Sequence, residues 1–317
     1  MAETGRLSVH AGAVAPTGEQ VEISHGGQRA VVTEVGGSLR SYSVEGREVL
    51  DGFGINEMRS AARGAALIPW PNRLEDGSYE FGGRRYQTPL SEPERHNAIH
   101  GLTRWMNWET ADRAADRVVM ALVLHPQEGY PFALALEIEY RLSADGLSVR
   151  TSARNVGSEA APYGTGHHPY IQAGTPLVDE ATLQISAASR LELDRRQNAT
   201  GKRLPVEGTE FDFRRPRRIG AVKLDDAYTD LERNSRGRGL VVLTGSGGRP
   251  AVTVWMDESY PYVMAFTGDA LPDAARRRRS LGVEPMTCAP NAFRSGQGLR
   301  VLDPGATFTC EWGLISS

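Results

Sequence analysis

Cysteine is nearly absent from this chain: only Cys288 and Cys310 occur, without CxxC spacing, so neither a disulfide framework nor a zinc clip is the basis of its fold. The two thiols read instead as small buried hydrophobes. Long apolar runs are missing too. The longest, Val118 to Leu124, is far short of the roughly 20 residues needed to cross a bilayer, and the opening MAETGRLSVHAG carries no apolar signal core. These absences point to a soluble cytoplasmic protein with no membrane partner. Nor is positive charge in excess: a net charge of -3 offers no basic surface for a phosphate backbone, which excludes nucleic acid as a partner and favours a small neutral molecule. There is no GxSxG elbow and no glycine loop between a strand and a helix, so nucleophilic hydrolysis and nucleotide cofactors lack support.

What the sequence has is alternation. From Phe132 to Leu142 every second residue is large and apolar (Phe132, Leu134, Leu136, Ile138, Tyr140, Leu142), which sets them on one face of a strand. Asp145-Gly146 then reverses the chain, and Leu147, Val149, Thr151 and Ala153 alternate with polar neighbours along the return. Glycine-centred reversals at Gly26-Gly27, Gly82-Gly83 and Gly245 to Gly248 separate further strand-like runs, and Phe308, Cys310, Trp312 and Leu314 close the chain in the same way. No segment has the spacing of a long amphipathic helix. The pattern predicts an all-β protein, a large antiparallel β-sandwich, with residues 1–317 as one domain and residues 1–19 as a flexible N-terminal segment. Arg276 to Arg279 form the one charge block, read as a solvated loop, with a phosphate-binding loop as the alternative.

Several polar clusters carry chemistry. Gly164-Thr165-Gly166-His167-His168-Pro169-Tyr170 sets two histidines side by side in an extended stretch. Adjacent strand residues point oppositely, so the pair cannot share an ion as a His-x-His spacing would; no metal and no other cofactor is expected. Pro69-Trp70-Pro71-Asn72-Arg73 holds an Asn72–Arg73 pair in a stiff turn, and Arg73 can fork onto sugar hydroxyls or onto a carboxylate. His100, beside Gly101 and Leu102, is a better cleft candidate than His96. Glu284 lies between apolar residues at a strand end, where desolvation raises a carboxyl pKa towards that of a general base working at neutral pH; a structural pair with an arginine of the 276–279 block competes with this. Asp225 can accept from hydroxyls, or simply make an Asx-turn.

Taken in order, PWPNRLEDGSYEFGGRRYQTP, NAIHGL, GTGHHPYI, LDDAYT and GVEPMTCAPNAF span nearly the whole chain, and together they resemble the aldose 1-epimerase (galactose mutarotase-like) family. The resemblance implies that family's supersandwich fold and an isomerase acting on a small-molecule sugar, as a monomer or homodimer. It also implies roles: Arg73 and Asp225 in sugar binding, with Asn72 beside them, His100 as a supporting histidine, His168 as catalytic acid and Glu284 as base. His168 is preferred to His167 because an aromatic, Tyr170, follows it after one residue, which leaves His167 facing away. Two departures, Pro169 after His168 and Met286 where many hexose mutarotases carry glutamine, leave the preferred sugar open. Interconverting the α and β anomers of a hexose requires proton removal from the C1 hydroxyl and proton delivery to the ring oxygen, a task for one base and one acid. Trp70 or Trp105 can stack on the sugar, though both read better as core. The alternatives are a hexose-6-phosphate mutarotase and a non-catalytic carbohydrate-binding protein on the same fold.

Overall fold

The mid-chain alternation folds as its period dictates. In the computed structural model, which describes residues 14–245 and 251–316, strand Leu134–Ser143 pairs antiparallel with Gly146–Asn155. Leu134, Leu136, Ile138, Tyr140 and Leu142 are buried on one strand, and Leu147, Val149, Thr151 and Ala153 on its partner. Gly26-Gly27 and Gly82-Gly83 make the expected turns between paired strands. Around Gly245 the flanking strands also pair, Thr244 with Ala251, although residues 246–248 of that reversal lie outside the described residues. The same holds for residues 1–13 of the N-terminal segment; from Thr17 the chain is tied down, its carbonyl accepting from the Val35 N–H at 3.1 Å. Among the described residues the one α-helix is Ala292–Ser295, and no helix is long and apolar enough to cross a membrane.

Two sheets dominate. A nine-stranded sheet runs from Glu109–Arg113 through Arg117–Leu124, the central hairpin, Thr307–Ser316, Ala251–Met256, Gly239–Thr244 and Thr182–Ile185 to Arg217–Arg218. An eight-stranded sheet runs from Ala199–Pro205 through Ala187–Leu193, Asp225–Leu231, Tyr262–Phe266, Leu281–Met286 and Gly166–His167 to Ala66–Leu67, with Tyr170–Ile171 also pairing with Leu281–Met286. The two pack face to face. Val149 and Trp312 of the first sheet share one hydrophobic cluster with Val263 and Val283 of the second, and that cluster extends from Val21 to Leu314. Cys288 and Cys310 are buried free thiols, as small hydrophobes should be.

A smaller strand pair positions the site. Arg73–Glu75 pairs with Asn97–Ile99, and just beyond them Gly101 crosses the turn at Ile68. Gly101 has φ +65°, and a Cβ there would fall 2.1 Å from the Ile68 carbonyl oxygen, which already accepts from the Leu102 N–H at 2.7 Å. Only glycine meets both the left-handed backbone and the close approach. Gly101→Ala is therefore expected to cost about 1–3 kcal/mol, read as a melting temperature lowered by several degrees in a thermal unfolding scan.

Candidate active site

The sheet register explains why distant residues share one surface. Paired residues of neighbouring antiparallel strands point to the same side, as do residues i and i+2. Asp225 pairs with Phe266, Phe266 pairs with Gly282, and Glu284 follows Gly282 by two; all four therefore face one way. His168 joins them from the segment between Gly166–His167 and Tyr170–Ile171, fixed by its backbone N–H to the Ala65 carbonyl at 3.0 Å and its carbonyl to the Gly64 N–H at 2.9 Å. His167 points the other way, into the space between the sheets, where Nε2 meets Thr151 Oγ1 at 2.8 Å and the ring lies 5.3 Å from Trp312.

Asn72, Arg73, His100, His168, Asp225 and Glu284 all line one cavity of about 370 Å³. Within it His168 Nε2 lies 3.2 Å from Glu284 Oε1, and both side chains are nearly sealed from solvent. The His168 ring stacks on Tyr170 with centroids 4.7 Å apart and planes 12° off parallel, and Tyr170 is held by its hydroxyl donating to the Ala61 carbonyl at 3.1 Å. Burial pushes Glu284 up to about 8, with the nearby charge of Asp225 adding to the rise and Arg73 opposing it. Burial also pushes His168 down to about 3, and the charge of Arg63 works in the same direction. Both groups thus favour their neutral forms, which leaves one proton on the pair.

His100 is bound to the turn that carries Asn72. The Asn72 N–H donates to His100 Nδ1 at 3.2 Å, and the His100 N–H returns the bond to the Asn72 carbonyl at 2.8 Å. Nδ1 is therefore an acceptor, the ring is neutral, and its proton sits on Nε2. Burial and the neighbouring His168 hold its pKa well below the ordinary value. Asn72 itself has φ +54°, and its Oδ1 accepts from the Arg73 N–H at 2.9 Å.

Ligand atoms of His100, His168 and Glu284 lie within 4.8 Å of one another, a trio that the spacing of His167 and His168 gave no hint of. Two histidines and a carboxylate are a familiar zinc set. Here, however, His100 Nδ1 is occupied by a backbone donor and Nε2 carries the proton, so this imidazole offers no free lone pair. His168 Nδ1 is buried without a partner, whereas ligating histidines anchor their second nitrogen on an acceptor. The trio suits proton transfer and hydrogen-bond donation better than it suits a metal.

Other expectations need correcting. Of its two expected partners the Arg73 fork takes the carboxylate: Nε and Nη2 donate to Glu92 Oε2 and Oε1 at 2.8 and 2.9 Å, a buried ion pair. Glu92 lines the cavity and was missed, since a glutamate before Pro93 gives no chemical signal in sequence. Trp70 is core, 5.3 Å from Phe293, but Trp105 is 47% exposed and lines the cavity, against its core assignment. The 276–279 block is solvated in part, with Arg277 and Arg279 exposed, but its other two arginines are paired. Arg276 binds Asp51 and Glu57, and Arg278 binds Asp179 and Asp269, so the block clamps distant segments together outside the cavity. Neither arginine reaches Glu284, and Asp225 opens Asp225–Leu231 as a strand residue rather than making an Asx-turn.

The large antiparallel sandwich is the fold of the galactose mutarotase-like class of protein. The chain belongs to the aldose 1-epimerase family, whose model matches residues 19–313. It is 34% identical over 290 residues to the uncharacterized protein YihR of Escherichia coli K12, covering 91% of this chain and 90% of that one. It is 29% identical over 179 residues to human galactose mutarotase, covering 54% and 51% of the two chains. The fold matches the GalM/aldose epimerase homologue from C. elegans with a TM-score of 0.85 at 19% identity, over 94% of this chain and 98% of that one.

The buried carboxyl makes stability depend on pH in a definite sense. An unfolded glutamate ionises near 4.5, whereas the folded one holds its proton to about 8. Its contribution to stability is therefore complete below 4.5 and is lost as pH rises through 8, a penalty on the order of several kcal/mol once ionised. Glu284→Gln is expected to melt several degrees above wild type at pH 9 and at the same temperature at pH 4, read by calorimetry across that range.

Proposed function

We propose that the chain is an aldose 1-epimerase that interconverts the α and β anomers of an aldose by acid/base-catalysed ring opening and reclosure. The observation that carries this is the 3.2 Å contact of His168 Nε2 with Glu284 Oε1 in one cavity, which sets a candidate acid beside a candidate base. Had the two side chains faced different cavities, the enzymatic reading would have failed. A sugar binding between them presents its C1 hydroxyl to Glu284 and its ring oxygen to His168. Glu284 removes the hydroxyl proton while His168, carrying the pair's proton, delivers it to the ring oxygen; the bond from C1 to the ring oxygen breaks and C1 becomes an aldehyde.

The step ends with a neutral carboxylic acid and a neutral imidazole, the forms that burial favours at both groups. Rotation about the bond between C1 and C2 presents the other face of the aldehyde, and the same two proton transfers in reverse close the ring. His100, with its proton on Nε2, supports the ring oxygen as a fixed donor. Asp225 accepts from ring hydroxyls, and Arg73, steadied by Glu92, donates to them with the part of its guanidinium that Glu92 leaves free. The cluster continuous from Val21 to Leu314 supports reading the whole sandwich as one domain around this site.

Freshly dissolved α-D-glucose and α-D-galactose followed by polarimetry test the reading. Wild type is expected to accelerate equilibration over the uncatalysed rate, with Glu284→Gln and His168→Ala each losing about 10²–10⁴-fold; a wild type that leaves both sugars, and other aldoses, at the background rate would refute it. The pair's proton also fixes the pH profile. Catalysis needs one proton on the pair, so kcat/KM is expected to hold level from about pH 5 to 7 and to fall above about 8, where that proton is lost from Glu284.

A further inference from the structure

Two arginines line the same cavity without an acid to neutralise them. Arg59, 3% exposed, donates to Ser38 Oγ and to the Arg104 carbonyl, and Arg104 Nη2 donates to the Ile99 carbonyl at 3.1 Å. Among the described residues neither guanidinium is ion-paired, whereas the neighbouring Arg63, Arg73 and Arg95 are held by Asp51 and Glu92. The Nε of each is buried with no hydrogen-bond partner. Arg59 also lies over the exposed Trp105 ring, 4.8 Å from its centroid, and both residues line the cavity. Burial pulls both guanidiniums down to about 10, and Arg104 adds to the effect on Arg59; both stay charged at neutral pH. Two adjacent cations with no counter-charge, Arg59 buried and Arg104 half-buried, are unfavourable in the empty site and favourable once an anion lies against them. Of the four carboxylates lining the cavity, Glu92 is taken up by Arg73 and Arg95, Glu94 is exposed, and Asp225 and Glu284 form no ion pair with either arginine.

Their place in the cavity gives the anion an address on the sugar. Arg104 Nη2 donates to the carbonyl of Ile99, the residue before His100, Arg59 donates to the Arg104 carbonyl, and the His100 ring lies 5.4 Å from that of His168, whereas Asp225 and Glu284 stand together on the eight-stranded sheet. The unpaired cations therefore lie on the histidine side. If the anomeric hydroxyl meets Glu284 and the ring oxygen meets His168, the next ring atom beyond that oxygen is C5, and the exocyclic C6 attached to it extends on the histidine side. We propose that the cavity takes an aldopyranose bearing an anionic group on C6 (carboxylate, sulfonate or phosphate), with Arg59 and Arg104 as the residues that bind it. This rests on the mutarotase reading above and narrows its substrate to a class.

Anomer exchange by NMR tests it on glucose and its C6-carboxylate, C6-sulfonate and C6-phosphate counterparts. At least one anionic sugar is expected to show a kcat/KM at least tenfold above glucose. Arg104→Gln, the milder variant because Arg59 also holds Ser38 and the Arg104 backbone, should lower the value for that anion at least tenfold more than for glucose, and Arg104→Lys should recover part of the difference. Glucose turned over as well as all three anions, or an equal loss on both in Arg104→Gln, overturns the proposal. If no aldose is turned over at all, the mutarotase reading is what fails. Calorimetric binding of the same four sugars then decides the subsite: an anion preference abolished in Arg104→Gln upholds it, and equal or absent binding ends it.

Discussion

Glu284 occupies a strand whose six residues are all buried, and the surroundings of the cavity answer to that constraint. A carboxylate without water is stable only if it is protonated or closely partnered. Its near partner is an imidazole that burial also keeps neutral, so burial favours the protonated carboxyl. Arg73 would simplify matters by supplying a full counter-charge, but its fork is committed to Glu92, and its pull on Glu284 is outweighed by burial and by Asp225. A site wired more tightly to Arg73 would hold Glu284 permanently ionised and remove the freedom that makes the pair useful.

The sheet also serves as a ruler. Asp225 and Glu284 stand on strands separated by Tyr262–Phe266, two interstrand spacings or about 10 Å of backbone. A hexose-sized molecule spans a comparable width, so hydroxyl-binding and proton-transferring groups can meet opposite parts of one ring. The smaller pair of strands, Arg73–Glu75 and Asn97–Ile99, brings Arg73 and His100 over this surface from a separate part of the chain. The cavity is thus set by the register of one sheet and the seating of one turn.

Much of the frame was legible in sequence because a period of two is a local property. The alternation from Leu134 to Leu142, the return through Ala153 and the glycine turns each needed only near neighbours to be read. The opposed directions of His167 and His168 followed from the same geometry. The six candidate residues came from ordered motifs that resemble a family, and the fold brings all six to one cavity. What was hidden depends on contacts between segments far apart. Nothing near Arg276 announces Asp51, nothing near Arg73 announces Glu92, and nothing in the isolated Arg59 and Arg104 says that they lie side by side without acids. Trp105 was misjudged for a related reason: whether an aromatic fills a core or lines a cavity depends on what lies opposite, and that is not written in its own neighbourhood.

The bond from the Asn72 peptide N–H to His100 Nδ1 reaches beyond holding a ring in place. A peptide group does not titrate in the range where proteins survive, so its demand for an acceptor is constant. While that bond lasts, the imidazole hydrogen of His100 has one address, whatever the protonation of Glu284 and His168. The cavity therefore combines a mobile proton with an immobile one, the first assigned by side chains that exchange it and the second assigned by the main chain. In the proposed reaction, a sugar between the two meets a surface in which one hydrogen-bonding partner changes its role and the other keeps it.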